Sequence, residues 1–228
     1  METVETLIVG AGVVGLAIAQ SLASSGREVV VVEKNNMAGQ GISARNSGVI
    51  HAGLYYPNNS LKARFCVEGA ELLYRYCNQF GVSNKRIGKY IVAATDAERH
   101  ALVQLQENAK ANGVVGLRSF TGVEMSNIDP ELKVKAALFS PNSGIVEVSE
   151  LILSLIGQME RCGGVIAYGT EVLGLRQQQG KLEVLAKDDA SYSLIAKNVI
   201  NCSGLGAQRL AEATTGYKSA NIPKLRMV

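Results

Sequence analysis

The sequence holds only two histidines and four cysteines in 228 residues. The cysteines (Cys66, Cys77, Cys162, Cys202) stand far apart with no CxxC pair, which argues against a zinc site and, at this length, against a disulfide scaffold. A reduced, cytoplasmic setting suits them. Charge of one sign is also missing: 23 basic and 20 acidic residues, scattered without runs, leave a net charge of +3. That balance gives no electrostatic case for a nucleic-acid partner. Long apolar runs are absent too. The longest, such as "VVVV" at 29–32, fall far short of the roughly 18 residues of a membrane span, so no transmembrane segment is expected. The N-terminus reads straight into an apolar strand, so no export signal is expected. There is no internal repeat, Pro-rich linker or low-complexity tract.

What is present is an ordinary globular composition, 47% hydrophobic and 19% charged. "TLIVGAGVVGLAIAQSLASSGREVVVVEK" reads as strand, glycine-rich turn, helix and strand, the helix ending at Gly26. The four valines show no polar alternation, as in a parallel strand covered on both faces. Residues 34–59 form a long aperiodic connection. Ser60 to Gly81 bracket an amphipathic helix, and "GKYIVAA" is a strand. Thr95 with Glu98 and Thr121 with Glu124 are capping boxes. "KAALFS" and "GIVEV" flank the turn signal "PNSG", and a helix runs from about Ser149 to Cys162. The stretch 165–204 contains about five short strand-like runs, read as a small antiparallel meander returning to a buried strand at "NVINC".

Gly10, Gly12 and Gly15 satisfy G-x-G-x-x-G between strand and helix, and Glu33 closes the next strand. The first glycine permits the tight turn, the second lets a pyrophosphate approach the backbone, and the third lets helix pack on strand; Ala19 keeps that packing close. The helix N-terminus supplies N–H groups and a positive dipole end. Glu33 is suited to accept from both ribose hydroxyls and to repel a 2′-phosphate. The motif predicts a dinucleotide site without choosing FAD over NAD.

Loops leaving the carboxyl ends of such strands border the ligand crevice, which places "GISARNSGVIHAGLYY" at 41–56 beside the dinucleotide. Within "RNSGVIHAGLYYPNNSLKARFCVEGAELLYRYC", and again in "GKYIVA", "SGIVEV", "GTEVLGL" and "NVINCSGLGAQRLAE", the chain resembles the L-2-hydroxyglutarate dehydrogenases and oxidases, within the D-amino-acid-oxidase-like group of FAD enzymes. The likeness implies an α/β fold: a Rossmann-type FAD-binding domain with an inserted mixed-sheet substrate domain, the C-terminal part of the family missing. The expected boundaries are 1–81 and 147–216 for the FAD-binding domain, 82–146 for the substrate domain and 217–228 for the start of a return to it. It further implies that Gly10, Gly12, Gly15 and Glu33 hold the FAD pyrophosphate and ribose. Ser43, Arg45, Asn46 and Ser47 pass the pyrophosphate and flavin. Val172 meets the adenine through its backbone, and Ser203 with Gly204 forms a small-residue turn at the cofactor.

The implied activity is oxidation of L-2-hydroxyglutarate or a related 2-hydroxy acid, with a glycine-oxidase-like amine oxidase and an inactive FAD-binding fragment as alternatives. Such a reaction needs a base of near-neutral pKa at the substrate hydroxyl, and His51 is the candidate. Its alternatives are a loop-holding role and, less favoured than non-covalent FAD, a tether. Tyr55 and Tyr56 are weaker candidates for the substrate pocket. Arg45, Lys62 and Arg64 are candidates for substrate carboxylates, the last two reading rather as solvated residues of an amphipathic helix. Cys66 and Cys77, three turns apart, read as core, and His100 as surface. No metal cluster is expected. The electron acceptor stays open between oxygen and quinone, with peripheral membrane contact compatible.

Overall fold

The computed structural model describes residues 2–178 and 180–222. They fall into two compact units, divided between Asn46 and Ser47 and again between Glu147 and Val148. The first unit begins with β1 (Thr3–Val9), α1 (Val13–Ser24) and β2 (Val29–Glu33), the strands paired in parallel from Thr6↔Val29 to Val9↔Val32. Leu7, Ile8 and Val31 are fully buried, which is why polar alternation vanishes here; each such side chain contributes roughly 1.5–3 kcal/mol. Gly15, Leu16, Ala19 and Ala23 form the buried side of α1, and Gly26 takes positive φ just after its end, as its position predicts.

The second unit runs through β3 (Val49–Ile50), α2 (Leu61–Phe80), β4 (Asn84–Lys85), β5 (Lys89–Ala93), α3 (Asp96–Ala111), β6 (Arg118–Thr121), α4 (Gly122–Ile128), β7 (Ala136–Ser140) and β8 (Gly144–Val146). Helix ends follow the caps read from sequence. The Ser60 hydroxyl accepts from the Ala63 N–H, Gly81 takes φ 72°, and both capping boxes form. The unit has two antiparallel sheets, β3-β8-β4 and β5-β7-β6. The "PNSG" turn therefore does not close a hairpin: β7 and β8 enter different sheets. Helix α2, expected with the first nucleotide-binding segment at 1–81, lies in this second unit.

The chain then completes the first unit with α5 (Val148–Arg161), β9 (Val165–Tyr168), β10 (Glu171–Gln178), β11 (Lys181–Lys187), β12 (Ser191–Asn201), α6 (Ala207–Glu212) and β13 (Thr214–Thr215). Helix α5 packs on α1. The seven-stranded sheet has the order β13-β10-β11-β12-β1-β2-β9, with an antiparallel β10-β11-β12 meander joined to a parallel set. Two runs expected as separate strands, "SYSLIA" and "NVINC", are one. The start of β12 pairs antiparallel with β11 (Lys187↔Ser191), and its end pairs parallel with β1 (Val9↔Asn201). Run "VIAY" leaves the meander altogether and extends the parallel edge on β2. Half of the segment expected at 217–228, residues 223–228, lies outside the described residues.

Candidate functional site

The glycine loop is built by close backbone approaches. Gly10 takes φ 104°, and a Cβ there would come within 2.6 Å of the Cys202 carbonyl oxygen. A Cβ on Gly15 would collide with the carbonyl oxygen of Gly10, so this glycine lets α1 lie against the turn that precedes it. The N-cap of α1 is Gly12, which offers no side chain to the helix end. Instead the Ser43 hydroxyl, from the following loop, accepts from the Val13 N–H at 3.0 Å. The first turn of a twelve-residue helix thus faces a cleft with its positive dipole end and one hydroxyl beside it.

Glu33, expected to meet ribose hydroxyls, is already engaged. Its Oε2 accepts from the Ala11 N–H at 2.9 Å, and Oε1 accepts from the backbone and side-chain N–H groups of Asn35 at 3.0 and 2.8 Å. The buried carboxylate therefore ties the glycine loop to the end of β2. A carboxylate oxygen takes about two hydrogen bonds. Oε2 carries one, which leaves capacity for a ligand hydroxyl.

A cavity of about 540 Å³ lies along this loop, within the range of small-molecule and cofactor sites. It is lined by Gly10, Gly12, Glu33, Ser43, Arg45, Val172, Ser203 and Gly204 from the sequence expectation. Gly15 stands behind them. Lys34, Asn35, Ile42, Thr170, Leu205 and Arg209 also line it without having been singled out; all but Arg209, which lies in α6, were signalled only by their positions in the stretches that follow strand ends. Arg45 forms no ion pair among the described residues, whereas Arg209 reaches Glu171 at 3.5 Å. Asn46 turns its amide back onto the Ser43 carbonyl at 2.8 Å and does not line the cavity. Glycines cleared of Cβ, a helix N-terminus for phosphate, a residual carboxylate acceptor for a hydroxyl and apolar walls at Val172 and Leu173 fit a dinucleotide such as FAD.

Ser47, His51, Tyr55 and Tyr56 belong to the second unit. The backbone of residues 53–56 is clamped by Asn108 of α3 and by Asn112, which caps the end of that helix. The Asn108 amide donates to the carbonyls of Leu54 (2.8 Å) and Tyr56 (3.0 Å), and that of Asn112 to those of Gly53 (3.2 Å) and Tyr56 (2.8 Å). Cys66, expected in the core, is only half-buried, and its thiol donates to the His51 carbonyl at 3.2 Å. Burial pushes that thiol above its ordinary value, so it stays protonated. The His51 pKa is lowered from 6.5, by desolvation first and then by the ammonium groups of Lys89 and Lys62. Lys62 sits 4.7 Å over the Tyr56 ring and Lys89 4.7 Å over the Tyr55 ring. A neutral imidazole on a fixed loop is what a proton acceptor at neutral pH requires. His100 is exposed, with Nδ1 2.8 Å from the Asp96 carbonyl. Among the described residues no group of three His, Cys, Asp or Glu side chains is placed to hold a metal ion, and no helix is long and apolar enough to cross a membrane.

The family described as FAD dependent oxidoreductase matches residues 5–225. The mitochondrial L-2-hydroxyglutarate dehydrogenase of Arabidopsis thaliana is 38% identical over 97% of this chain and 52% of its own length. That of Homo sapiens is 35% identical over 91% and 47%, and the L-2-hydroxyglutarate dehydrogenase of Escherichia coli 32% over 90% and 49%. The chain thus spans about half the length of the curated relatives it matches. Among solved structures, the FAD-bound L-alpha-glycerophosphate oxidase of Mycoplasma pneumoniae matches with a TM-score of 0.88 at 28% identity, over 94% of this chain and 57% of that one. Glycine oxidase from Geobacillus kaustophilus matches in fold with a TM-score of 0.81 at 22% identity, over 93% and 58%.

Proposed function

The chain belongs to the family of FAD-dependent oxidoreductases, and from that premise we propose that it binds FAD in the cleft of its first unit and oxidises L-2-hydroxyglutarate or a closely related 2-hydroxy acid to the 2-oxo acid. The observation that carries the reading is the setting of His51 on a loop held by Asn108, Asn112 and Cys66, with Lys62 and Lys89 over the adjoining tyrosine rings; partial desolvation and the two ammonium groups favour its neutral form. Its similarity to L-2-hydroxyglutarate dehydrogenases supports the substrate class.

In this reading the first unit does the holding. The N-terminus of α1 and the Ser43 hydroxyl receive the pyrophosphate, Arg45 adds positive charge, and Glu33 accepts a ribose hydroxyl on Oε2. Bound FAD supplies the acceptor for the hydride that leaves the substrate Cα. The second unit handles the proton: neutral His51 accepts it from the substrate hydroxyl. The Asn108 and Asn112 amides hold the adjoining loop so that the imidazole keeps its place. Four free cysteines accord with a reduced, cytoplasmic location.

His51→Ala in the full-length protein tests the assignment. A lost general base lowers kcat by about 10²–10⁴-fold with FAD content unchanged. Unaltered turnover would remove the base role, and a wild type that prefers amino acids to 2-hydroxy acids would overturn the substrate class.

A further inference from the structure

Two side chains beside His51 have so far entered only through their field on its imidazole. Lys62 lies in the first turn of α2, and Lys89 opens β5. Their ammonium groups nevertheless come to the rings of two consecutive residues. Each stands over one ring of the Tyr55–Tyr56 pair, and both act on His51 and on Cys66.

Their place over the adjoining Tyr55 and Tyr56 rings, beside His51, sets them apart. In the same unit Arg64 pairs with Glu68, Arg86 with Glu71, and Arg99 and Lys135 with Asp96. Lys62 and Lys89 form no ion pair among the described residues, and no carboxylate contributes to the field at His51. Two like charges gathered on one loop repel each other and disfavour a protonated neighbour. Flexible lysines relieve such repulsion by diverging into water, but here the tyrosine faces retain both. An anion placed between them would turn the repulsion into two charge-assisted hydrogen bonds. One carboxylate would offset one of the two positive charges while bridging both ammonium groups.

We propose that Lys62 and Lys89 together bind the substrate carboxylate remote from the reacting carbon, and so make the protein selective for dicarboxylic over monocarboxylic 2-hydroxy acids. The inference rests on the reading that a 2-hydroxy acid is oxidised at His51. It assigns the distal end of that substrate to residues of α2 and β5. The Tyr55 and Tyr56 rings then serve as rests for the two lysine stems.

The test compares kcat/KM for L-2-hydroxyglutarate and L-2-hydroxyvalerate, which share five carbons and differ in whether the far end is a carboxylate or a methyl. Lys62→Met and Lys89→Met in the full-length protein keep an apolar stem on each ring and remove the charge. The diacid-to-monoacid ratio should fall about ten-fold for each and about a hundred-fold for the double variant. Measured well above the acid limb of His51, oxidation of hydroxyvalerate should fall far less than that of hydroxyglutarate, FAD content should stay as in the wild type, and Lys89→Arg should keep the ratio. An unchanged ratio in the double variant, or an equal fall for both acids, would overturn the proposal. A wild type that oxidises both acids equally well would overturn it while leaving the 2-hydroxy-acid reading intact; a wild type inert toward both would remove that reading and the inference with it. Should the methionine variants fail to fold, glutarate and valerate as competitive inhibitors of the wild type decide: glutarate at least ten-fold tighter supports the proposal, and equal inhibition overturns it.

Discussion

The loop over the first unit's cleft and the His51 loop of the second are secured by opposite means. At the cleft the chain is held by what glycine leaves out. Gly10 and Gly15 leave room for carbonyl oxygens where any side chain would collide, and side chains tie the loop through the Glu33 carboxylate on the Ala11 N–H and the Ser43 hydroxyl on the Val13 N–H. At His51 the chain is held by what side chains add: two asparagine amides on three carbonyls, a thiol on a fourth, and two lysines on two rings. The first arrangement suits a cofactor that stays bound and is recognised through backbone N–H groups. The second suits a substrate that comes and goes, since its contacts are charges and polar tips that can exchange with water.

The contrast predicts where an added methyl is fatal and where it is welcome. Gly15→Ala must push α1 away from the Gly10 carbonyl and the Cys202 side chain. We expect a loss of about 3 kcal/mol in urea unfolding and loss of FAD from the purified protein, read from its visible absorbance. Gly69→Ala is the control. Its Cβ would meet nothing within 4 Å in the middle of α2, so helix propensity alone acts and stability should rise by about 1 kcal/mol. Equal responses at the two positions would break the distinction.

These opposite constructions also explain what could be read from the sequence. The glycine spacing, the helix ends of α2 and α3 and the two capping boxes are local, each settled within a few residues, and all are found in place. The continuity of β12 was not legible, because the strand changes partner from β11 to β1 midway while its sequence breaks into two runs. The clamp on the His51 loop was equally hidden. Asn108 and Asn112 read as ordinary polar residues of a helix, yet their partners lie more than fifty positions away. The group at His51 was visible only as single candidates, and Lys89 as none. Replacing Asn108 or Asn112 by Ala removes two hydrogen bonds and should cost about 1–2 kcal/mol of local stability, read as faster amide exchange at 53–56 with the rest of the unit unchanged. The two amides share the Tyr56 carbonyl, so the double variant should cost less than the sum. Strict additivity would mean that they hold the loop independently.

The smallest expected effect is in the pH dependence, and it bears on the second region through one group, His51. Imidazolium cannot accept a proton, so activity falls as pH drops through the His51 pKa. In kcat/KM, which reports the free protein, the acid limb should lie below 6.5, because burial first and then Lys89 and Lys62 favour the neutral ring. Stability moves the same way. The unfolded chain binds this proton near 6.5 and the folded chain only at lower pH, so the contribution of His51 is full above 6.5 and declines through the window down to its folded value. A carboxylate lodged between the lysines offsets their charge, which should move the limb in kcat upward from that in kcat/KM for L-2-hydroxyglutarate and much less for L-2-hydroxyvalerate. In the Lys62→Met, Lys89→Met double variant the limb in kcat/KM should rise and still remain below 6.5, since burial, the larger cause, is untouched. A limb that ignores both the far carboxylate and the lysines would separate His51 from the cationic group around it and leave burial as the sole reason for its neutrality.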